Sequence, residues 1–181
     1  MNSRTVVLVL AALVLAPAAF ADQSAMPYAG QQTRTIKALS SDEMAALLRG
    51  EGMGLAKAAE LNGYPGPAHV LTLARELKLT DQQHQQVQAI FDHMSAAAKP
   101  LGAELVERER VLDQLFASGE ITPGRLTAET AAIAELQGRL RYTHLAAHLE
   151  TRALLSADQI ALYQRLRGYG ERGASMHHHH G

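Results

Sequence analysis

His144-Leu-Ala-Ala-His148 places two imidazoles one helical turn apart. At that spacing a pair of neutral rings can clamp one zinc, copper or nickel ion from a single helix face. Two ligands are too few for tight binding, so a third must come from elsewhere. His84 and His93 lie on a facing segment, although His93 points largely away from its apolar stripe. At 100° per residue, His144 falls about 40° from the centre of its own helix's apolar stripe and His148 about 80° from it. The first therefore reads as partly buried and the second as marginal. The competing reading is two boundary histidines paired with carboxylates or backbone. A second cluster, Met176-His177-His178-His179-His180-Gly181, sets four imidazoles side by side in a patternless tail. It reads either as a native metal-capturing tail with little geometric choice or as a purification tag. His69, just after a Pro-Gly-Pro turn, reads as local packing or a solvated side chain. No cofactor is required by these residues; a divalent ion (Zn, Ni or Cu) is the one they suit.

Other chemistries find little support. H-E-x-x-H, G-x-S-x-G and Glu-x-x-His are all missing from the sequence, and there is no Cys to act as nucleophile or as a metal or haem ligand. A haem held by Met94 with His144 or His148 would have to force a large macrocycle into the apolar stripe. The chain reads as a non-enzyme. Its net charge of −1 lacks the basic excess of a phosphate-tracking protein, which argues against a nucleic-acid partner. Gly50-Glu-Gly-Met-Gly54 has no preceding strand and reads as a helix cap and turn rather than a phosphate loop.

The elements that must position these residues are helical. Residues 1–21 read as a secretory signal: Arg4, an apolar run from Val6 to Leu15 too short to span a bilayer, and the cleavage site Ala19-Phe20-Ala21. Residues 22–35 read as a flexible leader. Residues 36–66 form an N-terminal helical and Gly/Pro-rich segment, with a cap at Ser40 and a hard stop at Asn62-Gly-Tyr-Pro-Gly-Pro67. Residues 67–169 form the main domain, and residues 170–181 a His-rich tail. In the main domain a helix is predicted over 68–77. A long one from Asp81 to about Ser118 carries the stripe Val87, Phe91, Met94, Ala98, Leu101, Leu105, Leu112 and Leu115. Pro100 predicts a bend within it. The return helix spans about Pro123 to Leu154, and a last one follows Ser156. With no strand pattern of useful length, the fold class is all-α: two long antiparallel helices with two shorter ones at the open end.

The starts of two of these helices repeat a pattern. Leu79-Thr80-Asp81-Gln82-Gln83 returns as Leu155-Ser156-Ala157-Asp158-Gln159. Each is a capping box, in which the hydroxyl accepts from the N–H three residues on and the Gln side chain reaches back. Leu155 and Ile160 are spaced as a hydrophobic staple across the second. In these boxes, the export signal and the helix order, residues 67–169 resemble the Spy/CpxP family of bacterial periplasmic proteins, marked by paired LTxxQ boxes. That family also embraces zinc-responsive and nickel/cobalt-sensing proteins of heavy-metal resistance systems.

The resemblance implies a four-helix hooked hairpin, a periplasmic location, homodimerisation, and either ATP-independent chaperoning or envelope-stress and metal sensing. Three departures stand out. Ser156 replaces Thr in the second box, the chain is not basic, and Ala147 and Thr151 occupy the places where the metal-sensor branch carries a His and a Met. The sensor's metal site is therefore not transferred. The leading expectation is a chaperone for unfolded or misfolded envelope proteins, with apolar hairpin side chains as the contact surface. A metal sensor or buffer using His144, His148 and the tail is the alternative. An adaptor for an envelope sensor kinase or efflux system is a third. The charged run Glu104 to Arg110, with Arg139 and Arg141, reads as a solvated face or a polar rim to such a surface.

Overall fold

A computed structural model describes residues 26–169; the expected signal at residues 1–21 and the tail with His177, His178, His179 and His180 lie outside the described residues. Among the described residues there are six α-helices: α1 Ser41–Arg49, α2 Lys57–Glu60, α3 Pro67–Thr72, α4 Asp81–Ala117, α5 Pro123–Leu154 and α6 Ala157–Leu166. Among the described residues there is no strand, only an isolated bridge between Ile36 and Leu39. The all-α architecture with two long helices is as expected, and α3 to α6 are the four helices anticipated for the main domain. Residues up to Gln32 cluster as a separate unit; its described part is a short turn in which the Gln31 side chain donates to the Pro27 carbonyl.

Local chemistry sets the helix boundaries. Ser40, Thr80 and Ser156 each close a full capping box, with Glu43, Gln83 and Gln159 as the reciprocal side chains. Thr122 caps α5 and Pro123 occupies its first turn, where no backbone N–H is needed. Gly50 ends α1 in the left-handed conformation (φ 71°), as a helix cap should. One expectation shifts. The helix predicted over 68–77 ends at Thr72, and bonds such as Ala74 N–H to the Leu71 carbonyl carry the chain on as turns. α4 carries Pro100 in its interior, as expected. Proline removes one backbone bond there, but its ring is on the exposed side and α1 packs against the neighbouring turns, so the helix continues.

Two apolar clusters hold the molecule. Near the middle of the hairpin, Ala98, Leu101 and Leu105 of α4 meet Ile133, Leu136 and Leu140 of α5, and Leu47 of α1 completes the cluster. At the open end Val70, Leu77, Val87, Leu155 and Tyr163 pack together, with Ile160 alongside.

Residues 36–66 lie on the hairpin of their own chain. Both the backbone N–H and the ammonium of Lys37 bond Asp113 at one end. In the middle, α1 crosses α4 at Gly102, where a Cβ would stand 2.1 Å from the Leu47 carbonyl oxygen. No side chain fits that crossing.

Gly102→Ala is expected to destabilise the fold by about 1–3 kcal/mol through overpacking, despite alanine's better helix propensity. Gly138, also inside a long helix, has open space around it; Gly138→Ala should stabilise by about 0.5–1 kcal/mol. Urea denaturation of the two variants reads the contrast.

Candidate functional site: a paired amide clasp and a histidine-lined cavity

The two boxes meet in space. Gln83 Nε2 donates to Gln159 Oε1 at 2.9 Å, and Gln159 Nε2 donates back to Gln83 Oε1 at 3.1 Å. Gln83 Nε2 also donates to the Leu154 carbonyl and Gln159 Nε2 to the Leu77 carbonyl. Each Oε1 meanwhile accepts from its own cap, Thr80 N–H or Ser156 N–H. Both protons and both lone pairs of each amide are thus used. Glutamate would serve a capping box equally well, as Glu43 does in α1, but it has no proton to donate across the gap. The clasp therefore explains why the repeated residue is glutamine.

Next to the clasp lies a polar hub. Glu60 is only 8% exposed. Its Oε1 accepts from the Tyr163 hydroxyl at 2.5 Å and its Oε2 from Gly66 N–H at 3.2 Å. Arg167 Nε stands 3.5 Å away and offsets the buried charge. Burial, then the bond to Glu60, pushes the Tyr163 hydroxyl well above its ordinary pKa, so it remains a donor. His69 lies 3.5 Å from Glu60; burial, then the Arg167 charge, lowers its pKa. Arg152 donates to the Gly63 carbonyl and covers the Tyr64 ring at 4.6 Å.

Between this hub and the Gly50–Gly54 loop is a cavity of about 480 Å³ whose walls include His144, His148, Met94, Met53, Lys57 and Arg167. His144 is 4% exposed, and among the described residues its buried Nε2 has no hydrogen-bond partner. Leaving such a group unsatisfied costs about 1–3 kcal/mol. Burial, then the neighbouring His148, lowers the His144 pKa and favours the neutral ring.

His148, expected at the margin, is 9% exposed because Tyr64 and Gly66 cover it. Its Nδ1 donates to the Tyr64 carbonyl at 2.7 Å. In the neutral ring this leaves Nε2 with the lone pair. The structure thus brings His144 and His148 to one cavity. His84 and His93 are exposed, and His93 lies on the opposite side of the hairpin. No group of three His, Cys, Asp or Glu side chains among the described residues is arranged to hold a metal ion. Glu60, Tyr64 and Met53 were not legible as site residues. A lone Glu in a short Ala-rich helix was the one available signal.

The hairpin's other face is open. A groove between α4 and α5, about 620 Å³, is walled by Ala97, Pro100 and Leu101 on one side and Gly138, Tyr142 and Thr143 on the other. It continues past Ala97 and Tyr142 into a recess of about 200 Å³ at Ile90, Met94 and Ala146. The stripe residues Leu101 and Leu105 are core rather than surface. Among the described residues no helix is long and apolar enough to cross a membrane.

The fold and the clasp define an all-α hairpin domain locked by two box motifs. A family model described as LTXXQ motif family protein matches residues 68–167. The chain belongs to this family, which is of the Spy/CpxP type. Neither the curated proteins nor the solved structures contain a match.

Gln159→Glu should keep the Ser156 cap yet lose donation to Leu77 and Gln83. It is expected to destabilise by about 1–3 kcal/mol in urea denaturation. The histidines set a pH dependence. His144 and His69 have folded-state pKa values below 6.5, so below about 6.5 the unfolded chain binds protons that the folded rings resist. Their contribution is complete above that pH and is lost as pH falls through the folded values. The denaturation midpoint should drop from pH 7.5 to 5.5, and His144→Gln should flatten that slope.

Proposed function

We propose that this chain is an exported, non-enzymatic envelope protein of the Spy/CpxP type that holds unfolded polypeptide segments in the open groove between α4 and α5. The supporting observation is the unequal treatment of the hairpin's two faces. One is sealed by α1 through Leu47 and the Gly102 crossing. The other is left as a shallow channel with small residues on its floor and the 74% exposed Tyr142 at its side. Glu104, Glu135 and Arg139 rim it with both signs of charge. Such a surface suits segments of varied sequence: alanine and glycine leave room for different side chains, and a tyrosine ring offers apolar area plus one polar tip.

The energetics suit reversible holding. Apolar burial returns about 25 cal/mol per Å², so a few hundred Å² yields on the order of several kcal/mol. Ordering a flexible client offsets much of that. Binding is then weak and renewable without a nucleotide. Family membership supports the general type of protein.

At equimolar ratio the protein should slow light scattering by an unrelated thermally unfolding protein, with or without chelator. Tyr142→Ala and Ala146→Glu should each weaken that protection several-fold at unchanged melting temperature. Leu48→Ala, at an exposed position on α1, should leave it intact. Full protection by both groove variants would refute the proposed surface.

A further inference from the structure

We infer that the open groove selects polypeptide segments with an apolar middle and basic flanks, the flanking cations meeting Glu104 at one end and Glu150 at the other. The inference rests on the holding reading and names the class of segment held.

The first ground is the charge of the groove. Its walls carry Glu104, Glu135 and Arg139, and the recess that continues it carries His93 and Glu150. Among the described residues, three carboxylates thus stand against one guanidinium. That guanidinium already faces a carboxylate, since Arg139 Nη1 lies 3.9 Å from Glu135 Oε1. Glu104 and Glu150 are both exposed, and neither has an ion pair or side-chain hydrogen bond among the described residues. Other cations of the hairpin are paired or directed elsewhere. Arg108 pairs with Glu129 at 3.5 Å, and Arg110 with Glu107. The Lys99 stem comes within 3.1 Å of a Cβ placed on Gly50, which puts it on the face that α1 covers. Thr143 lines the groove, so Arg141, two positions away, projects from the far flank of α5.

The second ground is spacing. From Ile90 in the recess to Glu104 in the groove, α4 covers about 21 Å at the helical rise of about 1.5 Å per residue. An extended chain covers that length in about six residues. Between the ends Ala97, Tyr142, Thr143 and Ala146 present no charge. The complementary segment therefore carries a few apolar residues in its middle and a Lys or Arg at each end. An acidic segment would set like charges together at both ends. Because both carboxylates are exposed, each ion pair adds at most a few-fold and is screened by salt. Charge sets a preference among segments, laid over apolar contact with Tyr142.

The test uses the full chain at pH 8 and fluorescence anisotropy of three short labelled peptides. They share one apolar middle of Leu, Phe and Ala and differ only in the flanking residue: Lys, Gln or Glu. At low salt the Lys-flanked peptide is expected to bind roughly three- to tenfold more tightly than the Gln-flanked one, and the Glu-flanked one more weakly still. High salt should bring the three together. The double variant Glu104→Gln, Glu150→Gln should lose the Lys preference at unchanged melting temperature and unchanged affinity for the Gln-flanked peptide. Tyr142→Ala should weaken all three. Equal affinities at low salt, or a Lys preference that survives the double variant, would overturn the charge selection while leaving Tyr142-dependent holding in place. Absence of binding by all three peptides, or binding indifferent to Tyr142→Ala, would refute the holding reading and the inference with it.

Discussion

The reciprocal pair Gln83–Gln159 is the interaction on which the arrangement of the helices depends. Capping boxes ordinarily act within one helix. Here each box lends its side chain to the other, across 76 residues of sequence. The clasp ties the start of α4 to the start of α6 and, through the Leu154 and Leu77 carbonyls, to the end of α5 and the turn before α4. Helix termini carry backbone groups that the helix itself cannot satisfy. Gathering several termini around two amides resolves that problem at one place, and the apolar cluster of Val70, Leu77, Val87, Leu155 and Tyr163 packs at the same end. A carboxylate at either position would keep the cap and lose the crosslink.

The N-terminal segment depends on that end in turn. Tyr163 of α6 can reach Glu60 of α2 because the clasp and the cluster beneath it hold α6 against the hairpin. Glu60 then fixes Gly66, and the Tyr64 carbonyl alongside orients His148. From the other direction, α1 is set by the close crossing at Gly102 and by the apolar seat of Leu47. Lys37 with Asp113 is half exposed and contributes little by comparison. The result is a hairpin with two unlike faces: one covered by the chain's own N-terminal segment, with a half-open cavity beside His144 and His148, and one left to solvent as a groove.

This division separates two kinds of chemistry. The open groove offers shape-tolerant apolar contact. The cavity under the Gly50–Gly54 loop is walled by two histidines, and burial favours the neutral ring of His144. Met94 lies between the two, lining both the cavity and the recess of the open groove.

Local rules determined much of this from sequence alone. The caps at Ser40, Thr80, Thr122 and Ser156, the stop at Gly50 and the apolar stripes of α4 and α5 depend on residues a few positions apart, whose effects are readable from spacing. The same rules put His144 and His148 on one helix side. They could not decide what covers that side. His148 became buried, and Leu101 and Leu105 became core, because residues 36–66 fold back over the hairpin. The Gln83–Gln159 clasp and the Glu60–Tyr163 pair join residues far apart in the chain. Only tertiary packing decides them, since burial and partner choice depend on which surfaces meet and not on local periodicity.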